Sequence, residues 1–457
     1  MDQFPVAIVG GGPVGLAAAA HLIERGERPI LFEAGASVGA SVLDWGHARM
    51  FSPWEFNVDA ASVRLLDSAG WKMPPAEELP TGAEWVERYL QPLAETPAMR
   101  DVIRTGTRVL HISRQNRDKV KDAGRSRAPF QVYIVKRDGR EALIEARAVI
   151  DASGSWRQPN PLGANGIPAI GETRLRGRLV YGIPDVLGSG RERYADRRVM
   201  VVGSGHSAIN VLLDLIRLRE ERLGTEVIWV MRRGNLRKVY GGGEADALPA
   251  RGQMGLRIRA AVEAGALEIL APFALREIAE LDDGLLARGE MEGALQDHYA
   301  DEVIVCTGAR PDLAMLRELR LDLDPAVEAT RSLAPLIDPN LHSCGTVRPH
   351  GEAELRQPEA DFYIVGMKSY GRAPTFLAAT GYEQVRSVAA ALCGDWEAAR
   401  DVRLNLPETG VCVTDYAADG LCCSPAEAAR PALLAIDAIP VADGDFVLSR
   451  TQPERCC

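Results

Sequence analysis

Two kinds of chemistry are written at opposite ends of this sequence. Near the start, Gly10, Gly12 and Gly15 stand in the spacing G-x-G-x-x-G, and Gly203, Gly205 and Ala208 repeat it as G-x-G-x-x-A. Residues this small let backbone N–H groups approach an anion that larger side chains would hold off, so each run is a candidate pyrophosphate cradle. Toward the end, Cys412, the pair Cys422-Cys423 and the pair Cys456-Cys457 crowd together. Thiolates are soft donors, and vicinal pairs suit thiophilic centres such as trivalent arsenic or antimony, with Cys412 or Cys344 as a candidate third ligand. The competing view is an extension whose cysteines are fortuitous.

The glycine runs need strands and helices to aim them. Val6-Ala-Ile-Val9 predicts a strand buried on both faces, an Ala/Leu-rich helix follows Pro13, and a second apolar strand ends on Glu33. In such a βαβ unit Gly10 makes the tight turn, Gly12 admits the pyrophosphate, Gly15 lets helix lie close on strand, and Glu33 accepts hydrogen bonds from a ribose 2′-OH. The helix N-terminus offers free N–H groups and partial positive charge. The second unit runs from Arg198 through Gly203-Ser204-Gly205-His206-Ser207-Ala208 into a helix, then a strand ending on Arg232 and Arg233. Guanidinium groups suit a 2′-phosphate where a carboxylate suits a free hydroxyl, which points to NADPH rather than NADH. Solvated surface arginines are the alternative.

Between these units the chain is punctuated. Residues 34–54 read as an irregular loop; were the first unit to hold FAD, Trp45, His47 and Phe51 would lie near its ring system, or else pack the domain. Thr81 and Glu84 predict a capping box opening a helix, and residues 108–112 and 130–135 predict antiparallel strands. Residues 146–154 form a further buried strand ending at Gly154, and Pro159, Pro161, Gly163 and Gly166 mark a domain crossing. Cys306, in an apolar strand running into Thr307-Gly308, reads as an inert buried residue. A last strand ends at Gly366, a helix follows over 376–392, and periodicity is lost from Asp395 onward.

A chain of 457 residues with 46% hydrophobic content can build a large core in two or three domains. Its net charge of −10 argues against nucleic acid as a partner. Residues 6–23 contain no Asp, Glu, Lys or Arg, yet four glycines and a proline make a membrane span or signal peptide a poor fit. A cytoplasmic location without membrane attachment is expected. The eight cysteines do not suggest a disulfide framework in so large an intracellular chain.

Taken together, these motifs resemble the two-dinucleotide-binding-domain flavoproteins, and within them the flavin-containing, NADPH-dependent monooxygenases. The resemblance covers about residues 4 to 395 and rests on Gly10 to Gly15, Asp151 to Trp156 followed by Pro159-Asn160-Pro161, Gly203 to Ala208, and Cys306 to Pro311. It implies an α/β fold of two Rossmann-like domains: a discontinuous FAD domain (1–170 and 330–395), an inserted NADPH domain (171–329) and a Cys-rich C-terminal arm (396–457). Gly366 and the helix behind it would close over the flavin. The run Leu175-Arg-Gly-Arg-Leu-Val-Tyr181 departs from the F-x-G-x-x-x-H pattern of the monooxygenases. Gly366-Met-Lys-Ser-Tyr-Gly-Arg-Ala-Pro-Thr-Phe-Leu377, residues 341–351 and the paired cysteines are similar instead to flavoproteins of bacterial arsenic resistance.

That narrower resemblance implies FAD and NADPH as cofactors, dioxygen as co-substrate and oxidation of a trivalent arsenical or antimonite, with no side chain required as acid, base or nucleophile. A homodimer is compatible with it. Three alternatives stay open: oxygenation of a small sulfur or nitrogen compound, a metal-ion or disulfide reductase, and a non-catalytic metalloid-binding protein. The reductase needs a redox-active cysteine pair beside the flavin, whereas residues 34–60 and 195–300 contain no cysteine.

Overall fold

The computed structural model describes residues 4–246, 248–341, 349–373 and 376–403. The cysteines at 344, 412, 422, 423, 456 and 457 lie outside the described residues.

Two five-stranded parallel sheets carry the architecture. The first has the spatial order Phe362–Ile364, Ala148–Asp151, Val6–Val9, Ile30–Phe32, Ile103–Arg104. Its central strands, Val6–Val9 and Ala148–Asp151, are buried at every residue. Continuous apolar runs such as Val-Ala-Ile-Val form where both faces of a parallel sheet are covered. The helix Pro13–Glu24, with proline at its first turn, packs its alanine-rich length against the helix Ala378–Leu392. The second sheet has the order Glu268–Leu270, Glu226–Val230, Arg198–Val202, Glu302–Val305, Val180–Tyr181. Here the helix His206–Glu221 buries Ile209, Leu212, Leu215 and Leu218.

Each sheet has an antiparallel companion. Thr107–Arg114, Phe130–Lys136 and Glu141–Ala146 form one three-stranded meander, which includes the expected strand pair. Ala274–Leu281, Gly284–Met291 and Ala294–Ala300 form the other, which the sequence pattern did not disclose. Its second turn carries Glu292 and Gly293, both at positive φ, as a tight hairpin turn requires.

Three local expectations meet the structure in different ways. The capping box is present: Glu84 N donates to Thr81 Oγ1 at 3.1 Å and Thr81 N to Glu84 Oε2 at 2.7 Å. The helix it opens widens into a π turn over Val86–Leu90, just before Pro92, which cannot supply an N–H. The loss of periodicity from Asp395 is corrected. Asp395 instead caps a further helix, Trp396–Arg400, through its side chain and Ala398 N, and Ala399 is buried. A helix this short buries too few residues to leave an apolar period.

The first meander is tied to the last strand of its sheet by a buried carboxylate. Glu359 accepts from Arg114 Nε at 2.8 Å, from Arg125 Nη2 at 2.6 Å and from the backbone N–H of Arg320 at 3.1 Å. Arg114 also lies over the Phe130 ring, 3.5 Å from its centroid. Burial works to raise the Glu359 pKa, but the hydrogen bonds from Arg125 and Arg114 outweigh it and the net shift is downward. The stability this network contributes is therefore present at neutral pH and is lost as acid protonates Glu359. Glu359→Gln, which leaves two buried guanidiniums without an anion, should lower unfolding stability by about 3 kcal/mol in urea titration.

Candidate functional site

The first glycine run does what its spacing requires. Gly10 has φ +105°, and a Cβ there would lie 2.5 Å from Ala152 O, so neither a side chain nor ordinary L geometry fits. A Cβ on Gly15 would come within 1.9 Å of Gly10 O, the close approach of helix to strand. Gly12 has no neighbour within 4 Å of a Cβ and faces open cavity. Glu33 is fixed from both sides: Gly11 N donates to Oε2 at 2.7 Å and Gly35 N to Oε1 at 2.6 Å. The carboxylate keeps lone pairs toward the cavity it lines.

The second run repeats the arrangement. Gly203 has φ +141° and a Cβ there would meet Cys306 O at 2.2 Å; Gly205 faces open space; Ala208 is fully buried in the first turn of the helix. Ser204, Gly205, His206 and Ser207 line the cavity at the helix N-terminus. His206 is solvent-exposed on the cavity wall, near the buried Arg251–Asp246 ion pair. Crowding by surrounding protein and the Arg251 charge, opposed by Asp246, lower its pKa. Arg232 Nη1 donates to Ala164 O at 2.7 Å, and Arg233 is exposed; both line the cavity.

One cavity of about 1330 Å³ joins the two runs. Beyond the glycine turns its walls include Gly154, Gly366, Trp45, Phe51, Trp156 and Phe376. Phe51 reaches across to the second unit, its ring 5.1 Å from that of His206. Trp156 Nε1 donates to Asp44 Oδ2 at 3.0 Å, which fixes the indole.

Of the two readings for His47, the structure fits domain packing, since it is not among the residues that line this cavity. Its Nε2 is buried without a hydrogen-bond partner, and it exerts its electrostatic influence on Asp185 and Asp214. Burial raises the Asp214 pKa and the nearby His47 opposes the shift. Chain proximity to Phe51 suggests a cavity position, but alternate residues of an irregular loop need not share a face.

Tyr181, at the position where the monooxygenase pattern has histidine, also has a structural explanation. Its hydroxyl donates to Glu172 Oε1 at 2.7 Å, while the same buried carboxylate accepts from Leu162 N at 2.8 Å and Ala169 N at 2.7 Å. Glu172 thus pins the crossing segment, a role the sequence did not disclose. Cys306 is buried, donates to Gly182 O at 3.2 Å and has its pKa pushed up to about 12 by burial, so it is a thiol and inert as expected. Lys368, also missed, forms a buried ion pair with Asp151 at 2.7 Å. A lysine directly after a buried strand and glycine was the available signal.

Comparison with known proteins places the chain. The family described as pyridine nucleotide-disulphide oxidoreductase matches residues 7–345, and the chain belongs to it. It is 28% identical over 155 residues to a thiamine thiazole synthase of Methanothermobacter thermautotrophicus, covering 33% of this chain and 56% of that protein, little more than half its length. It is 25% identical to a ferredoxin–NADP reductase of Lactiplantibacillus plantarum, over 69% of this chain and 76% of the relative. In fold it is similar to bacillithiol disulfide reductase from Bacillus cereus, with TM-score 0.63 and 20% identity over 86% of this chain and 99% of that one. It is also similar to ornithine hydroxylase from Pseudomonas aeruginosa, with TM-score 0.57 and 14% identity over 86% and 99%. The protein is an FAD-dependent oxidoreductase of that family, with FAD and NADPH as cofactors.

Filling one cradle at a time should separate the two nucleotides. Gly205→Val should weaken NADPH binding at least about tenfold while the flavin absorbance is kept, and Gly12→Val should do the reverse, as read by titration of each nucleotide. The His206 ring should titrate below the roughly 6.5 of an unfolded histidine, as read by NMR in the protein without nucleotide. Its contribution to stability is then full above about pH 6.5 and declines as pH falls through the lowered value.

Proposed function

We propose that this chain is an NADPH-dependent flavin monooxygenase that transfers one oxygen atom to a soft trivalent centre, arsenite, methylarsenite or antimonite, yielding the pentavalent form. The observation that carries the oxygenase part is the cavity itself. It joins both glycine cradles, and Cys306 is the one cysteine lining it among the described residues. With its pKa held near 12, that thiol is a poor electron relay, and no cysteine occurs in 34–60 or 195–300. Among the described residues, electrons delivered by NADPH have no dithiol to pass through there, which favours a diffusible oxidant.

When bound, FAD supplies two-electron acceptance and reactivity toward dioxygen, and NADPH supplies the hydride. The residues that would hold FAD are Gly10, Gly12, Pro13, Glu33, Gly154 and Gly366, with Gly15 behind them. Those for NADPH are Gly203, Ser204, Gly205, Ser207 and Ala208, with Arg232 and Arg233 on the 2′-phosphate. The domain limits given above belong to the same proposal, as does the cytoplasmic location; no helix among the described residues is long and apolar enough to cross a membrane. In the balanced reaction, NADPH, a proton, dioxygen and the trivalent substrate give NADP⁺, water and the pentavalent oxide. The metalloid part rests on the sequence: the paired cysteines would capture the substrate, and the run 366–377 carries the resemblance.

NADPH oxidation and oxygen uptake by the FAD-loaded protein, measured with and without arsenite, methylarsenite or antimonite, test this. Several-fold stimulation with a pentavalent product is expected. Stimulation only by a thioether or amine would keep the oxygenase and remove the metalloid. Disulfide reduction at an undiminished rate without oxygen would replace both with a reductase, the second reading that the family's name favours.

A further inference from the structure

Lys368 is a buried cation for which the scheme above has no use. It lies on the turn Gly366–Tyr370, and its side chain has no solvent exposure. Its Nζ donates to Asp151 Oδ2 at 2.7 Å and to Ser153 Oγ at 3.1 Å. Asp151, equally buried, uses its other oxygen to accept from Ser153 N at 3.1 Å and Ser153 Oγ at 2.6 Å. Two fully desolvated charges are a poor way to hold a fold together, because an apolar pair of similar volume generally does as well or better. What the pair joins is therefore informative.

Val9, Asp151 and Ile364 are in register at the C-terminal ends of three adjacent parallel strands. In open α/β sheets this is the edge at which ligands bind. Three turns leave these ends, and all three line the cavity: Gly10 with Gly12, Ser153 with Gly154, and Gly366 with Met367. The Gly10 turn rests directly on Ala152 and Ser153. Lys368 bridges the second turn to the third, and through Ser153 it backs the first. Gln384 supports the third turn from behind, accepting from Gly366 N at 2.7 Å.

We propose that Lys368 is a positioning residue for FAD: its ammonium, held by Asp151 and Ser153, locks the phosphate-cradling turn, the Ser153 turn and the Gly366 turn into the one arrangement that grips the cofactor. The assignment depends on the flavin and not on which substrate is oxidised. Ser153 is the member of the triad that reaches the cavity, and both of its side-chain hydrogen bonds are committed to the pair. Its hydroxyl is thereby fixed rather than free to rotate.

The test compares the full chain with Lys368→Met and with the charge-neutral double variant Asp151→Asn, Lys368→Met. The amide introduced in place of Asp151 retains an acceptor for Ser153 and leaves no unpaired buried charge. Three quantities are read: FAD affinity of the apoprotein, the visible absorption and circular dichroism of the bound flavin, and NADP⁺ affinity as a check on the second sheet. In the double variant, FAD should bind at least about tenfold more weakly and with an altered flavin spectrum, while NADP⁺ affinity and melting temperature stay near the parent's. Lys368→Met alone should show the same cofactor defect with a lower melting temperature. A double variant of parental stability that binds FAD with unchanged affinity and spectrum would overturn the proposal. So would loss of NADP⁺ binding in both variants, which would make the pair a requirement of the fold rather than of the cofactor.

Discussion

The geometry of the cavity depends on how closely two pairs of backbone turns approach. Gly10 presses on Ala152 and Ser153, and Gly203 presses on Cys306, in both cases so tightly that a single Cβ would collide with a carbonyl oxygen. These approaches set the separation of neighbouring strand ends. That separation decides where the helices Pro13–Glu24 and His206–Glu221 begin, and hence where their unsatisfied N–H groups point. A side chain at either glycine would displace the helix start as well as narrow the cradle. The mechanical and the binding roles of these glycines are thus one constraint.

Several carboxylates in this region are committed to fixed partners. Glu33 accepts from two backbone N–H groups, Glu172 from two N–H groups and a tyrosine, and Asp246 from Arg251. His206, the histidine lining the cavity among the described residues, has its pKa lowered by crowding and by Arg251. Walls fixed in this way would bind and orient nucleotides. That pattern suits a reaction whose reactivity comes from the cofactors, with the protein supplying position and exclusion of water.

The parts of the fold legible in the sequence are those set by local spacing. Both glycine runs, Glu33, the capping box and the buried strands each follow from residues within one turn or one strand of each other. The ion pairs were not legible, since Lys368 and Asp151 lie 217 positions apart and Glu359 and Arg114 lie 245 apart. The meander over 274–300 escaped because its outer strands bury few residues, two of eight over Ala274–Leu281 and one of seven over Ala294–Ala300, among many charges, so no clean alternation shows. The side to which His47 turns was left open for a related reason: an irregular loop has no period from which to infer a facing direction. The paired cysteines were legible as chemistry, yet only a position relative to the cavity could make them a site.

The remaining step concerns how two nucleotides can share one space. Hydride transfer needs reacting atoms about 3 to 3.5 Å apart, so the two cradles must serve a common centre. Phe51 packs against His206 across the cavity, and Tyr181 and the segment beginning at Leu162 are both fastened to Glu172. The two cradles are therefore joined at several points: Glu172 holds the crossing with three donors, Asn160 N and Nδ2 donate to Gly308 O and Thr307 O at 2.9 and 3.0 Å, and Arg232 donates to Ala164 O. Glu172 is buried and cannot release a donor without leaving it unsatisfied, so the crossing holds as a unit.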